Sequence, residues 1–149
     1  MSVSYHYTDS ADRLLADAVQ LWAHGSQESA AHLAGLSAEC MLKSILVGLR
    51  VVTTGADGQI PRIPTNKKVR VHIDLLWTEF LNSLGGRVGA AYLPLLPASN
   101  PFYDWLVDHR YIAANQLTSE QMLRWTWAAI VLWRGVFAHA KSQSPPEIQ

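Results

Sequence analysis

The sequence predicts an all-α protein, an antiparallel bundle of about five helices, and three observations support this prediction. Apolar residues recur with the helical period along most of the 149 residues. Glycines, prolines and capping residues lie where the periodic segments start and stop, and no segment is convincing as a strand. The length suits a single domain, which we place at residues 1–141, with residues 142–149 as a frayed tail.

The first two helices are separated by a glycine. The first is expected over residues 10–24, and Gly25 ends it, as glycine often does just past a helix. The second is expected over residues 27–49 and is the most apolar segment of the chain. Residues 51–69 combine glycine, proline and lysine without a helical period, so we expect a long loop there.

The remaining helices follow the same punctuation. A third helix is predicted over residues 71–84, before a pair of glycines, and a short helical segment over residues 87–96. An asparagine–proline pair, a cap residue followed by a first-turn proline, predicts a short helix over residues 102–110. The capping box Thr118-Ser119-Glu120-Gln121 opens the final helix, which we expect to continue to residue 141.

The composition excludes several classes of protein. Twelve Lys and Arg balance twelve Asp and Glu, and charged residues make up 16% of the chain, against about 25% in typical globular proteins. This balance excludes intrinsic disorder and argues against nucleic-acid binding through bulk positive charge. With 49% apolar residues and six tryptophans, the chain is expected to bury part of its surface against a second copy of itself.

We expect no metal site, no cofactor and no membrane anchor. Cys40 is the single cysteine, which excludes an intrachain disulfide and a cysteine-based zinc site. The six histidines include no pair spaced three or four residues apart, as a helical metal site favours. The longest nearly uncharged stretch, residues 125–133, is too short to span a bilayer, so a cytoplasmic location is expected.

A polar stripe runs along the second predicted helix. At about 100° per residue its members share one narrow sector of an otherwise apolar helix. They are Glu28, His32, Gly35, Glu39 and Lys43. One interpretation is a solvated edge with a Glu39–Lys43 pair; the other is a partly buried cleft in which Glu39 meets an arginine from another helix.

Three segments, taken in order, resemble HEPN-domain proteins. The resemblance covers residues 10–140, including the order and lengths of the helices. The segments are 29–43, with small residues leading into Glu39-x-x-x-Lys43; 71–76, with His72; and 105–111, with Arg110-Tyr111. The resemblance implies a HEPN-like domain that dimerises and belongs to a prokaryotic toxin–antitoxin or defence system. It also implies RNA or a nucleotide as ligand, and a cognate antitoxin or nucleotidyltransferase-like protein as partner.

Many HEPN proteins are metal-independent ribonucleases with an Arg-x(4–6)-His motif assembled across a dimer. Arg134 and His139 have this spacing, but five residues of a regular helix leave their side chains about 140° apart. The resemblance marks Arg110 instead, where Asn115 occupies the position of the histidine and His109 points elsewhere. Asparagine cannot shuttle protons, so we expect a non-catalytic or degenerate binding module. A ribonuclease and a purely structural dimerising bundle are the alternatives.

Three further expectations concern contacts. Arg110 is expected either to pair with Glu39 or to contact phosphate. The basic residues of the loop are expected to receive any acidic partner, and they are Arg62, Lys67, Lys68 and Arg70. The tryptophans of the final helix are expected at a dimer interface, and they are Trp125, Trp127 and Trp133. Since Trp125 and Trp127 point about 160° apart, only one of them can face the core.

Overall fold

A computed structural model describes residues 6–52, 54–58, 71–113 and 115–143. It confirms the all-α prediction, since the described residues form helices and turns and contain no strand. The α-helices are α1 (Tyr7–Ala23), α2 (Gln27–Gly48), α3 (Ile73–Asn82), α4 (Gly86–Tyr92), α5 (Ser119–Leu132) and α6 (Ala138–Gln143). Two 3₁₀ helices (Leu93–Leu95 and Val107–Tyr111) and a π-helical turn (Trp133–Phe137) complete the set.

An antiparallel hairpin of α1 and α2 begins the bundle. Gly25 adopts a φ of +87° in the connection, a conformation that glycine reaches without steric cost, and so reverses the chain between the two helices. Small residues such as Ala11 and Ala34 are fully buried between them, which allows close approach. The hydroxyl of Ser37 donates a buried hydrogen bond of 2.7 Å to the carbonyl of Ala11 and thereby fixes their register.

Helix α2 is the centre of the fold. It packs against α1, α3, α5, the π turn and the second 3₁₀ helix. By length and composition this helix is apolar enough to cross a membrane, with a mean hydropathy of 1.3, although the sequence pointed to residues 125–133 as the longest candidate. In the fold, 67% of the apolar 18-residue stretch of this helix is buried, as is typical of the core helix of a soluble protein.

The segment between α4 and α5 differs from the prediction. No α-helix forms over residues 102–110; turns at residues 101–104 lead into the 3₁₀ helix Val107–Tyr111. The side chain of Asn100 caps a turn instead of a helix, because its Oδ1 accepts from the N–H of Phe102 at 2.8 Å. Its Nδ2 donates to the carbonyl of Asp74, which ties this segment to α3. The fully buried Phe102 and Trp105 then anchor it to the core.

The final helix begins as predicted and ends slightly later. The Thr118 side chain accepts from the N–H of Gln121, and the Gln121 side chain accepts from the N–H of Thr118, which confirms the capping box. Over Trp133–Phe137 the helix widens into the π turn. Two residues of the expected tail, Ser142 and Gln143, are helical, and residues 144–149 lie outside the described part of the chain.

Candidate functional site

The candidate site lies where α2, the residue preceding α3 and the 3₁₀ helix Val107–Tyr111 meet. At its centre the indole of Trp105 is fully buried against Gly35 of α2, so closely that a methyl group on Gly35 would overlap the ring. The His32 ring stacks on this indole at 4.9 Å between centroids, and the His72 ring tilts against it at 6.0 Å. Trp105 therefore holds two histidines from different parts of the chain at one place.

Glu39 is the buried carboxylate of the site. Its Oε2 accepts from Nζ of Lys43 at 3.1 Å, and its Oε1 accepts from Nδ1 of His72 at 2.8 Å. The Glu39–Lys43 pair of the first interpretation is confirmed, but both side chains are buried, so this part of the stripe is not a solvated edge. The expectation that Glu39 meets an arginine is wrong, because His72 supplies the second partner that a buried carboxylate needs.

The hydrogen bond to Glu39 also sets the chemistry of His72. It raises the pKa of His72 above its ordinary value, and partial burial opposes this shift without cancelling it. Because Nδ1 is committed to Glu39, Nε2 is the ring nitrogen that remains for another partner. His72 borders a surface cleft of about 230 Å³, which is also lined by Val71, Asp74, Leu75 and residues 106–108.

His32 is a histidine of the site whose ring forms no hydrogen bond among the described residues. Neither of its ring nitrogens has a hydrogen-bond partner among the described residues, although both are shielded from water. Burial lowers the pKa of His32, and electrostatic repulsion from the neighbouring basic groups of His109, Arg110 and His72 lowers it further. Four basic side chains therefore lie near one another, and the lowered pKa favours the neutral imidazole of His32.

His109 and Arg110 occupy the 3₁₀ helix and have different roles. Nδ1 of His109 accepts from the N–H of Leu106 at 3.1 Å, and its ring stacks on buried Trp125 at 5.4 Å. Arg110 is exposed, and its guanidinium lies 4.7 Å from the centroid of the Tyr111 ring. The predicted pairing of Arg110 with Glu39 is wrong, because the 3₁₀ helix turns Arg110 outwards while Lys43 and His72 satisfy Glu39.

Asn115 is positioned through its backbone. It adopts a φ of +71°, a left-handed conformation that asparagine tolerates better than most residues. Its N–H donates to Oε1 of Glu28 at 2.7 Å, which ties the segment before α5 to the first turn of α2. Glu28 of the polar stripe thus has a structural partner at the edge of the site.

The spaced pair Arg134 and His139 spans the π turn. The N–H of Ala138 donates to the carbonyl of Trp133, five residues earlier, so one turn there accommodates more residues than in an α-helix. The separation of 140° calculated for a regular helix therefore does not apply to this pair. Arg134 is exposed, whereas His139 packs edge-on against the Tyr92 ring at 5.1 Å.

The tryptophans of the final helix face different environments. Trp125 and Trp127 point apart as predicted, since Trp125 is fully buried and Trp127 is 60% exposed. The expectation of Trp125 at an interface is wrong, because its ring is fully buried within the chain and its Nε1 donates to Oδ1 of Asp104 at 2.9 Å. Trp133 is partly exposed and donates to Asp12 of α1 at 2.7 Å.

The predicted basic loop and the predicted absence of a metal site concern different parts of the chain. The basic loop residues Arg62, Lys67, Lys68 and Arg70 lie outside the described residues. Within the described ranges, no three His, Cys, Asp or Glu side chains come together as metal ligands would.

The chain matches no protein-family model, and no curated protein or solved structure matches it significantly.

Sequence reasoning missed two parts of this region. The central position of Trp105 was not predicted, although a glycine inside a polar stripe is a signal of close approach by another element. The second is the partly buried hub around Asp104, whose carboxylate accepts from Arg124, Gln121 and Trp125. No spacing along the chain indicates that hub, because its members come from two segments.

Proposed function

We propose that this chain is a HEPN-like, non-catalytic binding module of a prokaryotic defence or toxin–antitoxin system, acting in the cytoplasm on a phosphate-bearing ligand. RNA and a free nucleotide share the chemistry that the site would recognise. The observation that carries the proposal is a group of basic side chains at one place: His32 and His72 contact Trp105, and His109 and Arg110 lie close enough to His32 to lower its pKa. Arg110 has no carboxylate partner among the described residues and therefore gives this group an unbalanced positive charge, which favours an anion.

Arg110 is the residue that we expect to contact phosphate. It forms no ion pair among the described residues, so its planar set of donors is available for a bidentate contact with phosphate. Glu39, the buried carboxylate nearby, is already bonded to Lys43 and His72 and does not compete for the arginine.

The non-catalytic assignment rests on the protonation chemistry around Arg110. Asn115 stands where the resemblance places a histidine, and an amide neither accepts nor releases protons near neutral pH. The neighbouring His109 uses Nδ1 to hold the N–H of Leu106 and packs its ring against Trp125. This side chain therefore acts as a brace for the segment that carries Arg110.

A binding titration tests the proposal. A labelled single-stranded RNA, in buffer with EDTA, is titrated with the parent protein, with Arg110→Ala and with Arg87→Ala. Losing a charge-assisted contact is expected to weaken binding about tenfold in Arg110→Ala. Arg87 is an exposed arginine of α4 and serves as the matched control, expected to bind like the parent. Equal affinities for all three proteins would refute the assignment of Arg110.

One observation favours the ribonuclease alternative. The π turn lies between Arg134 and His139, and π turns are frequent at functional sites. The same titration mixtures, examined on a denaturing gel, decide between the two functions. Intact RNA supports the binding module, whereas cleavage that is lost in His139→Ala supports a metal-independent ribonuclease.

We further propose that the module is a homodimer, with a cognate antitoxin or nucleotidyltransferase-like protein as an additional partner. The support is an apolar stripe on the outer face of α5, formed by Leu123, Trp127 and Val131, all of which are exposed. They are spaced four residues apart and therefore lie on one side of the helix. If dimerisation occurs and no ligand binds, the chain is the purely structural bundle.

A further inference from the structure

Two exposed tyrosines of this chain each carry an arginine against the ring. The guanidinium of Arg124 lies 4.9 Å from the centroid of the Tyr103 ring, and that of Arg110 lies 4.7 Å from the Tyr111 ring. Tyr103 is 67% exposed and Tyr111 is 73% exposed, so each ring keeps an open face. The two pairs are similar in geometry, and their tyrosines lie at the two ends of the segment 103–111.

The two arginines differ in the partners that they already have. Arg124 donates to both oxygens of Asp104 and to both oxygens of Glu120, at 2.7 to 2.9 Å. Its donors are thus occupied and its charge is balanced by two carboxylates. Arg110 has no carboxylate partner among the described residues. An unbalanced positive charge beside an open aromatic face therefore occurs at Tyr111 and not at Tyr103.

This combination fits a nucleotide better than a bare anion. The guanidinium can hold a phosphate while the open face of the tyrosine stacks on a base, and every base has such a face. Loss of one aromatic stacking partner typically weakens single-strand binding by about tenfold. A base paired within a duplex is already stacked between its neighbours and does not reach an exposed ring of this kind.

The position of Tyr111 suits a platform. It is the last residue of the 3₁₀ helix Val107–Tyr111, which packs on α2. That helix is braced from within, because His109 bonds the N–H of Leu106 and stacks on Trp125. The Tyr111 ring is consequently exposed on a backbone that is held in place, so stacking does not require the segment to become ordered.

We infer that Tyr111 is a stacking platform for an unpaired base whose phosphate contacts Arg110. The site then takes single-stranded RNA or a free nucleotide, and neither duplex RNA nor a phosphorylated molecule without a base is a good ligand. This inference rests on the proposed function, since it requires phosphate at Arg110.

The experiment measures binding of a labelled ten-nucleotide RNA strand, the same strand in a duplex, the same strand with abasic sites in place of its bases, and AMP. The proteins are the parent, Arg110→Ala, Tyr111→Leu, Tyr111→Phe and Tyr103→Leu. We expect the single strand to bind at least tenfold more tightly than the duplex or the abasic strand. We expect Tyr111→Leu to weaken single-strand binding about tenfold, Tyr111→Phe to bind within threefold of the parent, and Tyr103→Leu to match the parent.

The outcomes separate the two proposals. If Arg110→Ala weakens binding and Tyr111→Leu does not, the platform is refuted while the phosphate-binding function stands. Equal affinities for the intact and abasic strands, or for single strand and duplex, also refute the platform. If the parent binds none of the four ligands, both proposals fail. Binding of AMP that depends on Tyr111 supports the platform with a free nucleotide as ligand. Far-UV circular dichroism of each variant verifies that the helices are retained.

Discussion

The indole of Trp105 lies against the backbone of Gly35, and no space remains between them for a side chain. This contact joins the middle of α2 to the segment that carries His109 and Arg110. It also places the indole under the rings of His32 and His72. The absence of a side chain at one position of α2 is therefore what allows the candidate site to form.

Substituting Gly35 by alanine is expected to destabilise the protein. The added methyl group must displace a fully buried indole, and overpacking of this kind costs about 1–3 kcal/mol. Urea denaturation followed by circular dichroism measures the loss. Gly48→Ala, at the last residue of α2 with open space around it, is the matched control and is expected to gain up to about 1 kcal/mol. A neutral Gly35→Ala would show that Trp105 does not pack as described.

The His72–Glu39 bond predicts a stability difference that depends on pH. The pKa of His72 is raised in the folded state, so its contribution is fully present below the pKa of the unfolded chain, about 6.5. The contribution is lost as the pH rises through the folded-state pKa. Since the His72 side chain is 45% exposed, water screens the pair and we expect less than about 1 kcal/mol.

The measurement is the free energy of unfolding of the parent and of His72→Gln between pH 5 and pH 9. The parent is expected to be the more stable protein at the acidic end, and the advantage should fade towards the basic end. In a Glu39→Gln background the raised pKa loses its main cause, so the fading should disappear. An advantage that grows with pH would contradict this assignment.

Asp104 predicts the opposite dependence on pH. Burial alone would raise the pKa of Asp104, but hydrogen bonds from Arg124, Gln121 and Trp125 outweigh burial and hold the pKa well below its ordinary range. Its contribution is therefore present above the pKa of the unfolded chain, about 4, and is lost as the pH falls through the folded-state pKa. Asp104→Asn is expected to cost about 1–3 kcal/mol at pH 7.

Thermal unfolding of Asp104→Asn and the parent at pH 7 and at pH 3 tests this prediction. The gap between the two proteins should narrow at the lower pH. Glu120→Gln removes the other carboxylate on Arg124, and since Glu120 is largely exposed its loss should cost less than that of Asp104. If Glu120→Gln cost more stability than Asp104→Asn, the exposed Arg124–Glu120 pair would be more important than the hydrogen bonds of Asp104.

Trp127 predicts the oligomeric state. A charge in the centre of the apolar stripe on α5 cannot be buried without a partner, so Trp127→Asp is expected to be monomeric. Size-exclusion chromatography with light scattering at micromolar concentration distinguishes it from a dimeric parent. Leu75→Asp, at an exposed leucine of α3, should leave the dimer intact. A monomeric parent would refute the proposed dimer.

The fold was more predictable than the site, for a physical reason. Helical periodicity and caps are local, so the capping box at Thr118 and the turn at Gly25 could be derived from neighbouring residues. The Glu39–Lys43 pair is local in the same sense, being four residues apart on one helix. The bond between Glu39 and His72 joins residues 33 positions apart, and no periodicity specifies such a pairing.

Two local predictions failed because tertiary contacts outweighed them. Asn100 and Pro101 are residues that commonly begin a helix. A more open turn forms there instead, and it places Phe102 and Trp105 in the core, where both are fully buried. The separation of about 140° between Arg134 and His139 assumes a regular helix, whereas the π turn there changes which side chains share a face. In both cases the chain adopts the less regular conformation where it packs against the rest of the bundle.

The burial of α2 has a consequence for biosynthesis. This helix is apolar enough to pass for a membrane span, and one of its faces is covered by α5, which is synthesised much later. Until α5 emerges from the ribosome, only α1, α3 and the 3₁₀ helix Val107–Tyr111 can cover the apolar surface of α2. A nascent or truncated chain that ends before Ser119 therefore exposes apolar surface of α2 to chaperones, aggregation and membrane-insertion machinery. We expect folding to be completed only after the final helix has been synthesised.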